Sequence, residues 1–139
     1  MNKKTKGLHL IVDAVCHTDL DLNNKTLIEK VLNRIVEIAG MQFLQPTQLI
    51  EVKLDPEKVE SGDDDGGLTG IGVLTTSHIS IHTWPLTNRF SFDMYSCRTF
   101  DPDFVIKYLA NNLKIVDANV IVVERQSPQQ NTGITWNRN

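Results

Sequence analysis

The sequence predicts an α+β fold, a two-layer sandwich in which two helices cover one face of a largely antiparallel sheet. Six short runs rich in apolar and β-branched residues have the character of strands. Two longer stretches repeat apolar residues at helical spacing. The resulting order is β-α-β-β-β-β-α-β, and the short connections between the middle strands favour antiparallel pairing.

The N-terminal part predicts one strand and one helix. The run "LHLIVDAV" (8–15) is apolar and β-prone, as expected for a first strand. Apolar residues then recur at helical spacing across 22–40. Asn23 or Asn24 can cap the start of this helix, and Gly40 lies where a helix commonly ends.

The middle of the chain is predicted to form four strands, one before and three after an acidic loop. The segment 56–67 combines a proline, glycines and acidic residues, which indicates a loop. The predicted strands on either side of this loop are 47–55, 68–75, 78–84 and 90–97.

The C-terminal part predicts a second helix over 100–113, with Asp101 as N-cap and Pro102 at the first helical position. A last strand follows at 118–125. We therefore expect a single domain over 1–125 and a polar tail over 126–139.

Composition excludes several classes of protein. The chain has 139 residues, 40% of them apolar and 22% charged, which is typical of one globular domain. Its net charge of −3 gives no general attraction to nucleic acid. No apolar run reaches the roughly 18 residues that span a bilayer, and the N-terminus makes a poor signal peptide. These observations predict a cytoplasmic protein without a nucleic-acid or membrane partner.

The second face of the predicted sheet also carries apolar residues and has no helix to cover it. A large apolar face rarely stays in contact with water. We therefore expect this face to pack against a second copy of the chain in a homodimer.

The stretch "LTTSHISIHTWP" (74–85) carries the most reactive side chains. His78 and His82 lie four residues apart, which on a strand is roughly 13 Å and too far for one metal ion. Ser77 and His78 are adjacent and point to opposite faces, so they do not form a nucleophile and its base. No metal site and no conventional serine hydrolase are predicted.

The two cysteines are not expected to form a disulfide or a metal site. In a reducing cytosol a disulfide between Cys16 and Cys97 is not expected, and the chain has no CxxC spacing. Cys16 is interpreted as a small core residue.

The segment "TTSHISIHTWP", preceded by "GLTGIGVL" and followed by "DMYSC", resembles the short prokaryotic form of the S-adenosylmethionine decarboxylase family, whose members are pyruvoyl enzymes. The match is concentrated between Gly67 and Cys97, while length and element order agree over nearly the whole chain.

The resemblance implies roles for four side chains. Ser77 matches the serine that becomes the pyruvoyl group. His82, five residues on, matches a histidine that assists processing and catalysis, and Cys97, twenty residues beyond Ser77, matches the catalytic cysteine. Thr69, eight residues before Ser77, stands where the family has a processing serine. The expectation is that the imidazole of His82 and the thiol of Cys97 lie close to the Ser77 hydroxyl.

The chemistry implied is self-cleavage followed by decarboxylation. The Ser77 hydroxyl attacks the carbonyl of Thr76, the amide becomes an ester, and β-elimination leaves fragments 1–76 and 77–139. The new ketone at position 77 forms a Schiff base with the α-amine of a small amino-acid-type substrate and accepts electrons as carbon dioxide leaves. Cys97 manages the proton returned to the product.

Three further residues are assigned to the substrate pocket, namely Leu86, Phe92 and His9. A core position is the alternative for Phe92 and for His9. Asp93 either supports the site or makes only a strand-end hydrogen bond.

The sequence departs from the family pattern at Thr76, Leu86 and Arg98, where the family has glutamate, glutamate and glycine. The glutamate at position 86 is implied to bind the ribose hydroxyls of S-adenosylmethionine, and leucine cannot accept those hydrogen bonds. The predicted function is S-adenosylmethionine decarboxylation in polyamine synthesis. Two alternatives stay open: another amino acid such as arginine or ornithine, with "ESGDDDG" (60–66) offering carboxylates, or an unprocessed, non-catalytic partner subunit.

Overall fold

A six-stranded antiparallel sheet forms the centre of the protein, as seen in a computed structural model that describes residues 6–53, 55–62, 66–128 and 133–134. The elements in chain order are β1 (Lys6–Cys16), α1 (Lys25–Ile38), β2 (Gln48–Val52), α2 (Pro56–Glu60), β3 (Gly67–Leu74), β4 (Ser77–Trp84), β5 (Arg89–Ser96), α3 (Pro102–Asn112) and β6 (Ile115–Gln126). Across the sheet the strands lie in the order β2-β3-β4-β5-β1-β6, and each neighbouring pair is antiparallel. The predicted fold class is confirmed.

Helices α1 and α3 cover one face of the sheet and bury its apolar side chains. The buried residues of β1 are Leu10, Val12, Ala14 and Cys16, which shows the two-residue alternation of a half-buried strand. The five buried residues of α1 recur at helical spacing: Ile28, Val31, Leu32, Ile35 and Val36. One core therefore lies between the helices and the sheet.

One element was missed in the sequence. The segment 56–67 was predicted to be a loop, but α2 forms at its start. Asp55 accepts a hydrogen bond from the backbone N–H of Glu57 (3.0 Å), and Pro56 opens the helix. The same Asp-Pro pair begins α3, so the signal for α2 was present in the sequence.

The other face of the sheet, here called the open face, is not covered by any described helix. It carries apolar side chains that are well exposed, namely Ile50, Val52, Ile71, Ile121 and Val123. Polar side chains lie between them on the central strands, including His9 on β1, His78 and His82 on β4, and Asp93 on β5. The open face thus combines an exposed apolar surface with three of the histidines and Asp93.

Within the described ranges, the helices are all too short or too polar to cross a membrane.

Candidate active site

Ser77 is the first residue of β4 and directly follows a tight turn made of Thr75 and Thr76. Because β4 and β5 are antiparallel, Ser77 pairs with Ser96, which brings the next residue, Cys97, beside the turn. The backbone N–H of Cys97 donates to the carbonyl oxygen of Thr76 (3.1 Å) and to the hydroxyl oxygen of Ser77 (3.3 Å). These three residues, Thr76, Ser77 and Cys97, are called the Ser77 half-site.

The Ser77 half-site places a hydroxyl, its neighbouring carbonyl and one hydrogen-bond donor together. A donor on a carbonyl oxygen stabilises the negative charge that forms there when a nucleophile attacks the carbonyl carbon. Cys97 makes this contact through its backbone amide, which leaves its exposed side chain available for a different task.

The backbone at Ser77 is unusual. Its φ is 157°, a positive value that residues other than glycine seldom adopt. Such conformations cost about 1–3 kcal/mol and persist where the surrounding structure imposes them. Here the β3–β4 turn and the contacts to Cys97 impose it.

The side-chain hydroxyl of Thr76 has no hydrogen-bond partner among the described residues, although it is buried. An unsatisfied buried polar group costs about 1–3 kcal/mol.

His82 and Thr69 form a second group, called the His82 half-site. Thr69 on β3 is directly opposite His82 on β4, and the Thr69 hydroxyl lies 3.1 Å from Nδ1 of His82. A cavity of about 210 Å³ borders both residues and Trp84. Thr69 was matched to a processing serine of the family, and its hydroxyl is the group that contacts His82.

The expectation that His82 lies next to the Ser77 hydroxyl within one chain is wrong. The two residues are five positions apart on one extended strand, which separates them by roughly 16 Å. An odd spacing also puts side chains on opposite faces of a strand. One chain therefore holds the Ser77 half-site and the His82 half-site at different ends of β4.

A third group of polar side chains surrounds Asp93, and the sequence did not predict that its members lie together. The carboxylate oxygen Oδ2 of Asp93 lies 2.8 Å from Nε2 of His9 and 3.3 Å from Nε2 of His78, and the Ser80 hydroxyl donates to its other oxygen. The ring of Tyr95 packs against both imidazoles, with its centroid 5.7 Å from that of His9 and 5.9 Å from that of His78. We call His9, His78 and Asp93 the Asp93 cluster.

The Asp93 cluster follows from strand geometry. Antiparallel register places Tyr95 opposite both His9 and His78, and all odd-numbered β1 and β5 side chains point to the open face. Burial by itself raises the pKa of Asp93, but the hydrogen bonds from Ser80, His9 and His78 outweigh it, so the pKa lies below its usual value. Asp93 is therefore ionised at neutral pH.

The remaining candidates are spread over the molecule. Phe92 is only 2% exposed and packs in the core under the helices, which contradicts its assignment to the substrate pocket. Its position in β5 puts it on the face opposite Asp93. Leu86 lies on a short turn after β4 and is 51% exposed. Asp63, Asp64 and Asp65, from the acidic loop proposed to meet a cationic substrate, lie outside the described residues.

The two cysteines have different surroundings, as expected. Cys16 is buried in the core, and burial raises the pKa of its thiol to about 11, so it stays protonated and unreactive. Cys97 is exposed beside Ser77.

Comparison with protein families gives a match to S-adenosylmethionine decarboxylase over residues 8–126, which is most of the chain. Among curated relatives, the S-adenosylmethionine decarboxylase proenzyme of Thermococcus onnurineus (strain NA1) is 28% identical over 124 residues, covering 88% of this chain and 79% of the relative. The proenzyme of Methanococcus aeolicus (strain Nankai-3) is 29% identical over 125 residues, covering 89% and 97%.

A solved structure supports the same relationship. The crystal structure of the adenosylmethionine decarboxylase from Aquifex aeolicus VF5 superposes with a TM-score of 0.70 at 25% identity, covering 95% of this chain and 100% of that one.

Proposed function

Because the chain belongs to the S-adenosylmethionine decarboxylase family, we propose that it is a self-processing, pyruvoyl-dependent decarboxylase of S-adenosylmethionine that serves polyamine synthesis. The observation that carries this proposal is the pair of hydrogen bonds from the Cys97 N–H to the Thr76 carbonyl and the Ser77 hydroxyl. They join nucleophile, target and charge-stabilising donor at one turn.

In the processing reaction, the Ser77 hydroxyl oxygen attacks the Thr76 carbonyl carbon and the C–N bond between the two residues breaks, giving an ester and a free amine on Ser77. The Cys97 N–H stabilises the oxyanion formed on Thr76. Loss of the Ser77 α-proton and cleavage of its Cβ–O bond then release Thr76 as a carboxylate. The dehydroalanine left at position 77 takes up water and loses ammonia, which leaves the pyruvoyl carbonyl.

The positive φ of Ser77 favours the first step. When the amide becomes an ester, the Ser77 nitrogen is no longer part of a planar peptide group. Part of the conformational free energy that Ser77 holds at its positive φ is therefore released when the C–N bond is replaced by the ester C–O bond. The hydroxyl is also held beside its target by the turn, which lowers the entropic cost of attack.

The residues present fit a pyruvoyl group at position 77, because the hydroxyl of the serine that would be converted and the Thr76 carbonyl that it would attack both accept from the Cys97 N–H. The pyruvoyl group supplies an electron-accepting carbonyl for the decarboxylation of an α-amino acid. The Cys97 side chain is exposed, and its backbone contacts Ser77, so we assign its thiol to the return of a proton to the product carbon.

The separation of the half-sites supports a homodimer. If two copies pack about a two-fold axis so that the β3–β4 turn of each copy lies against the open face of the other, the Ser77 half-site of one copy can meet the His82 half-site of the other. This arrangement also removes the exposed apolar side chains of the open face from water. The complete active site then takes Ser77 and Cys97 from one subunit, with Thr69 and His82 contributed by the partner subunit.

Substrate preference depends on Leu86. It replaces a carboxylate that the family resemblance assigns to the ribose hydroxyls, and its side chain is exposed after β4. Carbon dioxide release from S-adenosylmethionine, arginine and ornithine, each incubated separately with the processed protein, measures this preference. Release from S-adenosylmethionine supports the proposal, and release only from arginine or ornithine would replace its substrate.

Substitution of Ser77 tests the proposal directly. Intact-mass measurement of the wild-type protein should show two fragments, 1–76 and 77–139, whereas Ser77→Ala should remain one uncut chain without activity. Thr75→Ala is the matched control, since it removes an exposed hydroxyl from the same turn and should leave cleavage unchanged. A wild-type chain that stays intact after prolonged incubation would refute self-processing.

A further inference from the structure

The Asp93 cluster lies next to the proposed cleavage point but takes no part in the cleavage described above. Once the chain is cut, position 77 is the end of a chain, and β4 is no longer tied covalently to β3. Chain ends fray unless specific contacts hold them. His78 is the first residue after position 77, so its side chain is the nearest anchor for the new end.

His78 is tied to the centre of the sheet through Asp93. Its Nε2 lies 3.3 Å from Oδ2 of Asp93 on β5, and Oδ2 also accepts from Nε2 of His9 on β1 (2.8 Å). The Ser80 hydroxyl, two residues further along β4, donates to the other oxygen of Asp93. One carboxylate on β5 therefore links the start of β4 to β1, and the three strands follow one another in the sheet order β4-β5-β1.

Ring packing makes the cluster rigid. The imidazoles of His9 and His78 are 6.3 Å apart and nearly perpendicular, and Tyr95 packs against both. The guanidinium of Arg125 on β6 lies 4.3 Å from the centre of the Tyr95 ring. Gly7 leaves space for that ring, because an added Cβ would lie 2.8 Å from it. Side chains from four adjacent strands thus fix the position of His78.

We propose that Asp93 is a positioning residue which, through His78, holds the carbonyl group generated at position 77 in its reactive orientation after the chain is cut. This inference rests on the proposed function. Asp93 acts on turnover rather than on cleavage, because before cleavage the β3–β4 turn itself holds Ser77.

The carboxylate is required because three donors converge on it. A carboxylate has two oxygens with about four acceptor positions, whereas the amide of asparagine has one acceptor oxygen and a group that donates. Asp93→Asn therefore keeps the size of the side chain and fails to satisfy His9, His78 and Ser80 together. Ser80→Ala removes one donor and keeps both links to the histidines.

The test compares Asp93→Asn with Ser80→Ala in three measurements: fragment formation by intact mass, melting temperature, and steady-state kinetics. We expect both variants to be cut into 1–76 and 77–139. In Asp93→Asn, kcat per cut chain should fall by roughly tenfold or more with KM little changed, since small misplacements of a reacting group are costly. In Ser80→Ala, kcat should stay within about threefold of wild type because the clamp on His78 is retained.

The outcomes separate this inference from the proposed function. A cut Asp93→Asn protein with wild-type kcat would overturn the positioning role, including when its melting temperature is lower, because that pattern is purely structural. An equal loss of kcat in Ser80→Ala would also overturn it. If the wild-type chain is never cut, the proposed function fails first and the positioning role fails with it.

Discussion

Cys97 carries two groups to which we assign different stages of the proposed reaction. Its backbone N–H contacts the Thr76 carbonyl and the Ser77 hydroxyl, and every residue except proline has that N–H. Its side chain carries the thiol that we assign to proton return. Substitution of the side chain should therefore separate cleavage from decarboxylation.

We expect Cys97→Ala to be cut into two fragments at a rate close to wild type, because the amide donor remains. Its decarboxylation rate should fall by about 10²-fold or more, as for the loss of a positioned proton donor. Mass spectrometry measures the first quantity and carbon dioxide release the second. Cys16→Ala is the control for thiol loss, since Cys16 is buried in the core and should affect stability rather than turnover. A Cys97→Ala chain that stays uncut would contradict the assignment of the amide.

At the residue scale, the sequence did not predict where all the candidate side chains meet. Spacing along one strand excluded a metal site between His78 and His82, and the structure keeps them on one strand at that spacing. The proximity of His82 to Ser77 was predicted from family resemblance, which does not say which copy of the chain supplies a residue. The Asp93 cluster joins residues 84 positions apart in sequence, so only strand register brings them together.

Among the elements, the two Asp-Pro helix starts offer a matched pair. Asp101 accepts hydrogen bonds from the backbone N–H groups of Asp103 (3.0 Å) and Phe104 (3.4 Å) at the start of α3. Helix α3 buries Val105 and Leu109 against the sheet, so its start is coupled to the core. Helix α2 has five residues, and the described ones are exposed.

Asp101→Ala should lower the free energy of unfolding by about 1 kcal/mol, the usual cost of losing an N-cap. Asp55→Ala removes the equivalent cap from α2 and should cost much less, because α2 can unfold locally without exposing the core. Chemical denaturation of both variants measures the difference. Equal losses would show that α2 is as firmly coupled to the core as α3.

The spacing of apolar residues and the helix-capping residues predicted the long helices and strands, because the apolar side of each element can be recognised from the sequence of that element alone. The boundaries of β1 and β6 moved outward, from 8–15 to 6–16 and from 118–125 to 115–126, since each strand is extended by pairing with the other. That pairing depends on contacts between the two ends of the chain, which local patterns do not encode.

For the whole molecule, the proposed dimer predicts that two inactive variants can complement each other. If each active site combines Ser77 of one subunit with His82 of the partner subunit, then two different inactive chains can restore one site. A mixed dimer of Ser77→Ala and His82→Ala contains one site in which both residues are wild type.

Co-expression of Ser77→Ala with His82→Ala should therefore restore cleavage, and the cut chain should be the one that carries His82→Ala. Each variant expressed alone should be uncut or cut much more slowly. Intact mass distinguishes the chains, and Ser77→Ala co-expressed with itself under a second tag is the control. Absence of any cut chain in the mixed dimer, once the dimer has been isolated, would exclude a site shared between subunits.

The strand order has a consequence for the two products of the cut. Fragment 1–76 contains β1, and fragment 77–139 contains β5 and β6, yet β1 lies between those two strands and is hydrogen-bonded to both. The strands of the two fragments alternate in the sheet, so neither fragment can dissociate unless the hydrogen bonds between the strands are broken. The severed protein should migrate as one species under native conditions and separate into two only when denatured.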